Sequence, residues 1–454
     1  MKTILPFLVF LLFSNIVVGQ TTAIPDPAFE QHLIYHGYDS GVPDGTVLTA
    51  NINTITSLTV NNQSFVGAQI INDLTGIEDF TSLTYLDCAE NLLTNLNLTQ
   101  NTALTELYCY SNNLSNLDLT QNTALTKLYC GGNLLSILNV TQNTSLTFLN
   151  CASSQLTNLD LTQNPDLIFL SCGSNQLTNL NLTQNIALIY LFCYYNNLNT
   201  LDLTSNTALI YLRCYNNQLT NLDLTQSVAL TELECYYNQL SSLDLTQNIA
   251  LIDLLCQNNQ LNNLDLTQNS ALTDLYCSFN ELSSLDLTQN TILKYLQCHE
   301  NQLTCLNLKN GNNISIAGIY TYSNPNLTCI EVDDALWSNS NWVTGPIWYN
   351  FDAFTSFSTN CGNPCTVGIN NVEQNFTNIS VYPNPTTSNI SIDLGEIKTN
   401  LKATLLNGMG QVIFTKEYNS TDFINLNIES PQGIYFLTLE TSLGEIKTIK
   451  VLKQ

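Results

Sequence analysis

The chain has 454 residues, of which 44% are apolar and 10% charged, and its formal net charge is -25 at pH 7. Nucleic acid and anionic membranes are bound by clustered Lys and Arg, whereas the only Lys and Arg between Gln20 and Cys365 are Lys127, Arg213, Lys294 and Lys309. The composition therefore excludes both as partners. An acidic surface of this kind is typical of solvated extracellular proteins.

Residues 1–19 have the pattern of a secretory signal peptide. Lys2 precedes an apolar run from Ile4 to Val18, and the small residue Gly19 predicts cleavage before Gln20. The run is too short for a membrane span, and no other apolar run reaches about 18 residues. Because no cysteine follows until Cys88, we expect a mature chain with neither a lipid anchor nor a transmembrane segment.

Residues 20–51 are predicted to form an N-terminal cap. Asp26 and Pro27 have the sequence of a helix start, and Phe29 and Leu33 follow at helical spacing. A helix here would cover the open edge of the structure that follows. His32 and His36 stand four residues apart, but without a third ligand they predict a helix surface and not a metal site.

Residues 52–309 are dominated by a repeat of 21 residues. One copy reads Leu104, Leu107, Cys109, Asn112, Leu114, Leu117, Leu119 and Asn122. Its cysteine recurs eleven times, at Cys88, Cys109, Cys130, Cys151, Cys172, Cys193, Cys214, Cys235, Cys256, Cys277 and Cys298, which we call the cysteine ladder. So strict a period predicts a solenoid of stacked coils.

The alternation within LxC turns the leucine and the cysteine toward the core of a strand. Neighbouring thiols then lie about 4.8 Å apart in one file, and parallel side chains suit a disulfide poorly. We therefore expect free, buried thiols. Inward asparagines end both halves of each coil, and Ser154 and Ser227 replace two of them, which predicts the least stable corners there.

Residues 310–365 depart from the repeat and contain Trp337, Trp342 and Trp348, which we assign to the core of a C-terminal cap. Four cysteines leave the ladder register here and predict disulfides, at Cys305, Cys329, Cys361 and Cys365. They allow three connectivities. Cys305 and Cys329 occupy the same position on adjacent turns, which makes their pairing one candidate.

After a polar linker at residues 366–378, residues 379–454 alternate apolar and polar residues between turns that contain Asn-Gly or Gly. This pattern predicts a small antiparallel β-sandwich.

Two resemblances follow from these motifs. The frame LxxLxCxxNxLxxLxLxxNxx resembles the 21-residue leucine-rich repeats of some listerial internalins and of many surface proteins of Bacteroidetes. It implies a leucine-rich repeat solenoid, with parallel β-strands stacked in a gently curved rod. The cap motifs NLTCIEVDD and FSTNC resemble those of similar repeat proteins, which implies a disulfide between Cys329 and Cys361.

The motifs YPNP at 382–385, GQV at 410–412, GIYFL at 433–437 and the terminal KVLKQ resemble the type A sorting domain of the type IX secretion system. This resemblance implies contact of residues 379–454 with the secretion machinery, passage across the outer membrane and removal of the domain near the linker. The protein would then be secreted or attached to the outer cell surface.

The outward residues of the coils carry the functional prediction. On the LxL side, Asp202, Asp223, Asp244, Asp265 and Asp286 form a file that we interpret as solvated, with calcium binding as the alternative. Beside the ladder, the outward residues vary and are rich in aromatics, at Tyr108, Tyr110, Tyr129, Phe192, Tyr194, Tyr195, Arg213, Tyr215, Tyr236, Tyr237, Tyr276 and Phe279. Exposed Tyr and Arg are favoured contact residues.

We therefore predict a non-enzymatic recognition or adhesion protein that binds an extracellular protein or glycan, chiefly between Phe192 and Tyr237. The chain has three histidines and neither a GxSxG nor a Walker motif, so we expect no catalytic residue, no metal site and no cofactor. A stiff structural spacer is the main alternative. Ice binding by the threonines of the LxL side, such as Thr204, and action on polysaccharides are two further ones.

Overall fold

A computed structural model describes residues 19–63, 67, 69–343, 348–362, 365, 379–407, 411–440 and 446–454. The predicted signal peptide, apart from Gly19, and the predicted linker at residues 366–378 lie outside these ranges. The chain forms two compact units, residues 1–367 and 368–454. Within the described ranges, no helix has the length and apolarity needed to cross a bilayer.

The first unit begins with strand β1 (Thr21–Ala23), helix α1 (Pro27–Tyr35), strand β2 (Thr46–Leu48) and helix α2 (Thr49–Ile52). Asp26 caps α1, since its Oδ1 accepts from Ala28 N at 2.8 Å, and its Oδ2 accepts from Asn72 N at 2.7 Å. The same carboxylate therefore begins the helix and fixes it to the first turn of the solenoid. Phe29 packs against Phe80 with ring centroids 6.2 Å apart.

One prediction about α1 was wrong. His32 is buried and does not lie on the helix surface, because α1 turns this face, with Phe29 and Leu33, into the core. Burial lowers the pKa of His32, so the imidazole is neutral at physiological pH.

The cysteine side of the solenoid is a parallel sheet of fourteen strands. Its members are β3 (Ser57–Thr59), β4 (Tyr85–Asp87), β5 (Glu106–Tyr108), β6 (Lys127–Tyr129), β7 (Phe148–Asn150), β8 (Phe169–Ser171), β9 (Tyr190–Phe192), β10 (Tyr211–Arg213), β11 (Glu232–Glu234), β12 (Asp253–Leu255), β13 (Asp274–Tyr276), β15 (Tyr295–Gln297), β17 (Gly318–Tyr320) and β19 (Tyr349–Asn350). In the repeats each strand pairs with residues 21 positions later, as Leu212 does with Leu233. The repeat period therefore sets the register of the sheet.

Among the residues that the structure describes, the opposite side carries strands only in the last coils, at β14 (Ser284–Asp286), β16 (Cys305–Asn307), β18 (Cys329–Glu331) and β20 (Ser356–Ser358). Two 3₁₀ turns, Ile77–Asp79 and Asn313–Ser315, lie near the ends of the array, and helix α3 (Ala335–Ser338) continues into a π-helical turn, Asn339–Val343. The predicted stack of parallel β-strands is confirmed.

The core between the two sides consists of leucines and the cysteine ladder. All eleven ladder cysteines are free and buried. Burial raises the pKa of their thiols, to about 12 at Cys151 and Cys193. They therefore serve as small apolar side chains.

Two files of inward asparagines join the coils. On the cysteine side, Asn112 Nδ2 donates to the carbonyl of Cys88 at 3.0 Å, and Asn112 Oδ1 accepts from Leu93 N at 2.9 Å. On the LxL side, Asn122 Nδ2 donates to Leu98 O and Asn101 O, but its Oδ1 is buried and has no hydrogen-bond partner among the residues that the structure describes. The cysteine-side file therefore satisfies more of the turn's backbone groups.

Ser154 and Ser227 interrupt these files, as the sequence predicts. Each serine has a buried hydroxyl with no hydrogen-bond partner among the described residues. A serine side chain is too short to reach the carbonyl of the preceding coil. These two corners therefore lack the side-chain bonds that their neighbours make.

The C-terminal end of the first unit is fixed by two disulfides, Cys329–Cys361 and Cys305–Cys365. The first is the pairing that the resemblance implied, and the alternative of Cys305 with Cys329 is wrong. Those two residues do start the adjacent strands β16 and β18, but side chains at equivalent positions of parallel strands point the same way, which suits a disulfide poorly.

Trp342 forms the centre of the C-terminal cap. It is buried, and its ring centroid lies 5.5 Å from that of Phe357 and 5.8 Å from that of Trp337. Trp348 was wrongly assigned to this core and is exposed. It directly precedes β19, the strand at the end of the sheet, and no described strand pairs with the outer side of β19.

The second unit is an antiparallel sheet of five strands, β21 (Ser380–Tyr382), β22 (Asn389–Asn407), β23 (Val412–Asn427), β24 (Gly433–Glu440) and β25 (Ile446–Lys453). The long strand β22 pairs with β21, β23 and β24, and its register with β23 shifts between Asp393 and Lys398. Residues from both halves of β22, such as Ile392 and Leu405, join one apolar core.

Candidate functional site

Three tyrosines that directly follow ladder cysteines stack on one another across neighbouring coils. We call Tyr194, Tyr215 and Tyr236 the tyrosine stack. Their ring centroids are 4.8 Å and 4.3 Å apart, with interplanar angles of 4° and 8°. The 21-residue period brings identical positions to the spacing of parallel strands, which is close to the distance at which aromatic rings pack.

Two further tyrosines flank this stack at right angles. The Tyr195 ring lies 5.6 Å from that of Tyr215 at 82°, and the Tyr237 ring lies 5.8 Å from that of Tyr236 at 68°. The stack ends on Gly173, where an added Cβ would come within 2.7 Å of the Tyr194 ring. A side chain at Gly173 would therefore displace Tyr194.

Phe192, Arg213 and Glu234 form a second contact group on the same strands. The Arg213 guanidinium lies 5.0 Å from the Phe192 ring centroid, and its Nε lies 2.8 Å from Glu234 Oε1. Burial raises the pKa of Glu234 and the neighbouring Arg213 opposes that rise. Arg213 is therefore held between a ring face and a carboxylate.

The structure brings seven of the predicted contact residues into two clusters and leaves others apart. Phe192, Arg213 and the five tyrosines from Tyr194 to Tyr237 lie on three consecutive coils. Tyr110 lies four coils before Tyr194, and Tyr276 lies two coils after Tyr236. Tyr108 and Tyr129 belong to a different group.

That group is a long aromatic stack that the sequence analysis only partly identified. It joins Tyr108 and Tyr129, 4.6 Å apart, to residues three positions before ladder cysteines, namely Tyr85, Phe148, Phe169, Tyr190 and Tyr211. Phe148 and Phe169 are 4.1 Å apart and nearly parallel. Strand alternation makes the position three residues before each cysteine outward-facing, as it does the position directly before the cysteine. The alternation alone therefore predicts that these aromatic residues face outward.

The residues two positions after the ladder cysteines form what we call the corner row. Every corner-row residue has a positive φ, a conformation that Asn, Ser or Gly adopts in most coils. Tyr195, Tyr237 and Phe279 have φ values of 48°, 51° and 54°. Left-handed backbone costs an L-residue roughly 1–2 kcal/mol, and bulky side chains are uncommon there, so these three aromatics are unfavourable choices for folding.

Acidic side chains follow the tyrosine stack along the sheet. Glu232, Asp253 and Asp274 occupy the same position of three consecutive strands. Burial raises the pKa of Asp253, and the charges of Asp274 and Glu232 raise it further. Among the described residues, no group of three or more His, Cys, Asp or Glu has the geometry of a metal site.

The aspartate file lies on the LxL side, away from these clusters. Each carboxylate bonds to the threonine two residues later, as Asp223 Oδ1 does with Thr225 N at 3.0 Å and Thr225 Oγ1 at 2.7 Å. These bonds lower the pKa of Asp202, Asp223 and Asp244. The hydroxyls of these threonines are therefore engaged within their own turns.

Comparison with known proteins places both units. Residues 380–454 match the family model described as a secretion system C-terminal sorting domain. The protein is a leucine-rich repeat protein with a secretion sorting domain. This domain of the type IX system marks it for secretion or for the outer cell surface, and implies contact with the secretion machinery. No curated protein matches this sequence.

Two solved structures show the fold of the repeat protein. The functional domain of InlJ from Listeria monocytogenes, which includes a cysteine ladder, is 27% identical with a TM-score of 0.60, covering 96% of this chain and 99% of that one. An internalin, inlF, from Listeria monocytogenes is 21% identical with a TM-score of 0.59, covering 73% of this chain and 96% of that one. The leucine-rich repeat solenoid is thus confirmed.

Proposed function

We propose that this leucine-rich repeat protein binds another extracellular macromolecule, a protein or a glycan, through the strand face between Phe192 and Tyr237, in recognition or adhesion. The observation that carries the proposal is the tyrosine stack with its two perpendicular neighbours, Tyr195 and Tyr237, beside the paired Arg213. Tyr and Arg dominate the energy of binding interfaces because they bring a large area with a polar end.

The proposal is non-enzymatic. Burial raises the pKa of Tyr215 and Tyr236, which makes these two hydroxyls poorer acids, and the nearby Glu234 is engaged by Arg213. The cluster therefore offers contact area and hydrogen bonds and no activated nucleophile or base.

The test compares the full chain with a triple variant, Tyr194→Ala, Tyr215→Ala and Tyr236→Ala. Binding would be measured on glycan arrays, on immobilised extracellular proteins and in cell adhesion. We expect a loss of about tenfold or more for the variant. A control variant carries Gln226→Ala and Gln247→Ala, two exposed positions on the LxL side of the same coils, and should bind normally.

A stiff spacer, the main alternative, makes the opposite prediction. The long aromatic stack and the asparagine files would stiffen an array whether or not it had a ligand. If the triple variant adheres as well as the unmodified chain, and its circular dichroism is unchanged, the spacer function replaces the recognition function.

A further inference from the structure

The corner row contains three bulky side chains at alternate coils. Tyr195, Tyr237 and Phe279 are 55%, 53% and 47% exposed, and Asn216 and Asn258 occupy the coils between them. Asparagine adopts this backbone conformation readily and large aromatics do not. Neither burial nor backbone preference accounts for the aromatics, and strained positions of this kind are often retained for function.

The spacing of these three aromatics matches the period of one extended ligand conformation. Neighbouring coils are about 4.8 Å apart, so alternate coils are about 9.6 Å apart. A polyproline II helix has three residues per turn and rises about 3.1 Å per residue, so its side chains return to the same face every ~9.3 Å. Over the two intervals from Tyr195 to Phe279, this mismatch amounts to only ~0.6 Å.

Other regular conformations fit less well. A β-strand presents the same face every ~6.7 Å, which places its side chains between the aromatic rings. An α-helix matches only at every seventh residue, about 10.5 Å, and accumulates an error of ~1.8 Å over the same two intervals. The row therefore favours an extended ligand with a period of three residues.

The intervening residues supply the polar contacts that such a ligand needs. A polyproline II segment has no internal hydrogen bonds, so its carbonyl oxygens remain available as acceptors. The amide groups of Asn216 and Asn258, which are partly exposed, can donate to them. Aromatic rings that alternate with such donors are the usual surface for this conformation.

Charge selects the composition of the ligand. Along the coils from Tyr195 to Phe279 the sheet carries Glu232, Glu234, Asp253 and Asp274. The one cation from Lys or Arg between Lys127 and Lys294 is Arg213, and it is paired with Glu234. Like charges on Asp253 and Asp274 repel, so a cationic ligand would relieve this repulsion.

We propose that the corner row from Tyr195 to Phe279 binds a basic, proline-rich protein segment in the polyproline II conformation, aligned with the stacking direction of the coils. Prolines of the segment occupy the gaps between consecutive aromatics, and its Lys or Arg side chains extend along the strands toward the negative charge of Glu232, Asp253 and Asp274. This inference rests on the proposed function and names its class of partner.

The test uses fluorescence anisotropy with the full chain and a labelled peptide of four Lys-Pro-Pro repeats. A matched peptide of four Lys-Gly-Gly repeats has the same charge but no polyproline II preference. We expect the proline peptide to bind about tenfold more tightly or better at physiological ionic strength. Equal affinity for the two peptides would reduce the interaction to charge alone and overturn the proposal.

A variant with Tyr195→Asn, Tyr237→Asn and Phe279→Asn tests the row itself. Because asparagine suits a positive φ, this variant should fold at least as stably as the unmodified chain, yet bind the proline peptide about tenfold more weakly. The control variant makes the same change outside the proposed site, at Ser111→Asn, Ser153→Asn and Ser174→Asn. Undiminished peptide binding by the aromatic-to-asparagine variant would contradict the inference.

The two proposals can fail separately. If the tyrosine-stack variant loses a macromolecular ligand but the proline peptide does not bind the unmodified chain, the recognition function stands and the ligand class is wrong. If a glycan competes for the corner row and the peptide does not, the same conclusion follows. If neither ligand nor peptide is bound, both proposals fail.

Discussion

Asn238 Nδ2 lies 3.1 Å from the carbonyl oxygen of Cys214 in the preceding coil. The same amide nitrogen donates to Cys235 O in its own coil at 3.0 Å, and its Oδ1 accepts from Leu219 N at 3.0 Å. One side chain therefore satisfies backbone groups of two coils at a buried corner, where water cannot replace them. This arrangement repeats along the cysteine side and is missing at Ser154.

Restoring the asparagine at Ser154 should stabilise the array. In Ser154→Asn the new amide can reach Cys130 O, Cys151 O and Leu135 N, the groups equivalent to those that Asn238 bonds. A net hydrogen bond contributes about 1 kcal/mol, so we expect the free energy of unfolding to rise by about 1–2 kcal/mol and Tm to rise with it. Urea and thermal unfolding measure both, and Gln155→Asn at the exposed neighbouring position should change neither. An unchanged or lower Tm for Ser154→Asn would contradict this account.

The two asparagine files should differ in their contribution. Asn238→Ala leaves one N–H and three carbonyls without this side-chain partner. Asn248→Ala removes donation to Leu224 O and Ser227 O, and with it an Oδ1 that has no partner in the described part of the chain. We expect losses of about 3 kcal/mol for Asn238→Ala and about 1–2 kcal/mol for Asn248→Ala. Urea unfolding of both variants under one condition tests the order. Equal losses would show that the carbonyl bonds alone determine stability.

The cysteine ladder should be unreactive in the folded protein. The thiols are buried, and burial raises their pKa, to about 12 at Cys235 and Cys298, so almost no thiolate exists at pH 8. A thiol reagent should label none of the ladder in the native chain and all eleven thiols after unfolding without reductant. Fewer than about eight labelled groups in the unfolded chain would show that the ladder forms disulfides.

The contribution of Asp253 to the stability of the fold should depend on pH. Its pKa in the folded protein is raised, by burial and then by Asp274 and Glu232, so ionised Asp253 destabilises the fold at pH 7. As pH falls below the carboxyl's unfolded pKa, about 3.9, both states are protonated and the penalty disappears. Asp253→Asn should therefore raise Tm at pH 7 and leave it unchanged at pH 3. Thr162→Ala, on the LxL side, should instead lower Tm at pH 7.

Thr162 lowers the pKa of Asp160 by donating two hydrogen bonds, one from its hydroxyl and one from its backbone N–H. A lowered carboxyl pKa contributes stability above the unfolded pKa, and that contribution is lost as pH falls through the folded pKa. Removing the Thr162 hydroxyl should thus lower Tm at pH 7 and have less effect at pH 3. A Tm difference that is the same at both pH values, for either variant, would contradict the assignment of these shifts.

Periodic features of this fold could be predicted from the sequence because one spacing determines them. The 21-residue period sets the strand register, as in Leu212 with Leu233, and alternation around Cys214 decides which residues face the core. The helix start at Asp26 was also evident from local chemistry. Such features depend on residues close in sequence or on exact repetition.

Features that depend on particular tertiary contacts could not be predicted from local sequence or from the repeat period. The burial of His32 depends on how α1 docks on the solenoid, and the exposure of Trp348 depends on where the sheet ends. Pairing of Cys305 with Cys365 joins residues 60 positions apart across the irregular cap. Adjacency to the thiol identifies only Tyr108 and Tyr129 of the long aromatic stack, whereas alternation along the strand also places Tyr190 and Tyr211 outward.

The two disulfides, Cys305–Cys365 and Cys329–Cys361, covalently fasten one end of the array, whereas no cysteine precedes Cys88 at the other. The N-terminal coils are held by packing such as Phe29 on Phe80 and by the bonds of Asp26. Under tension the solenoid should therefore unfold coil by coil, beginning at its N-terminal end. In a surface protein, force applied through a bound ligand would then unfold the coils one after another. The disulfide-linked C-terminal end would unfold last.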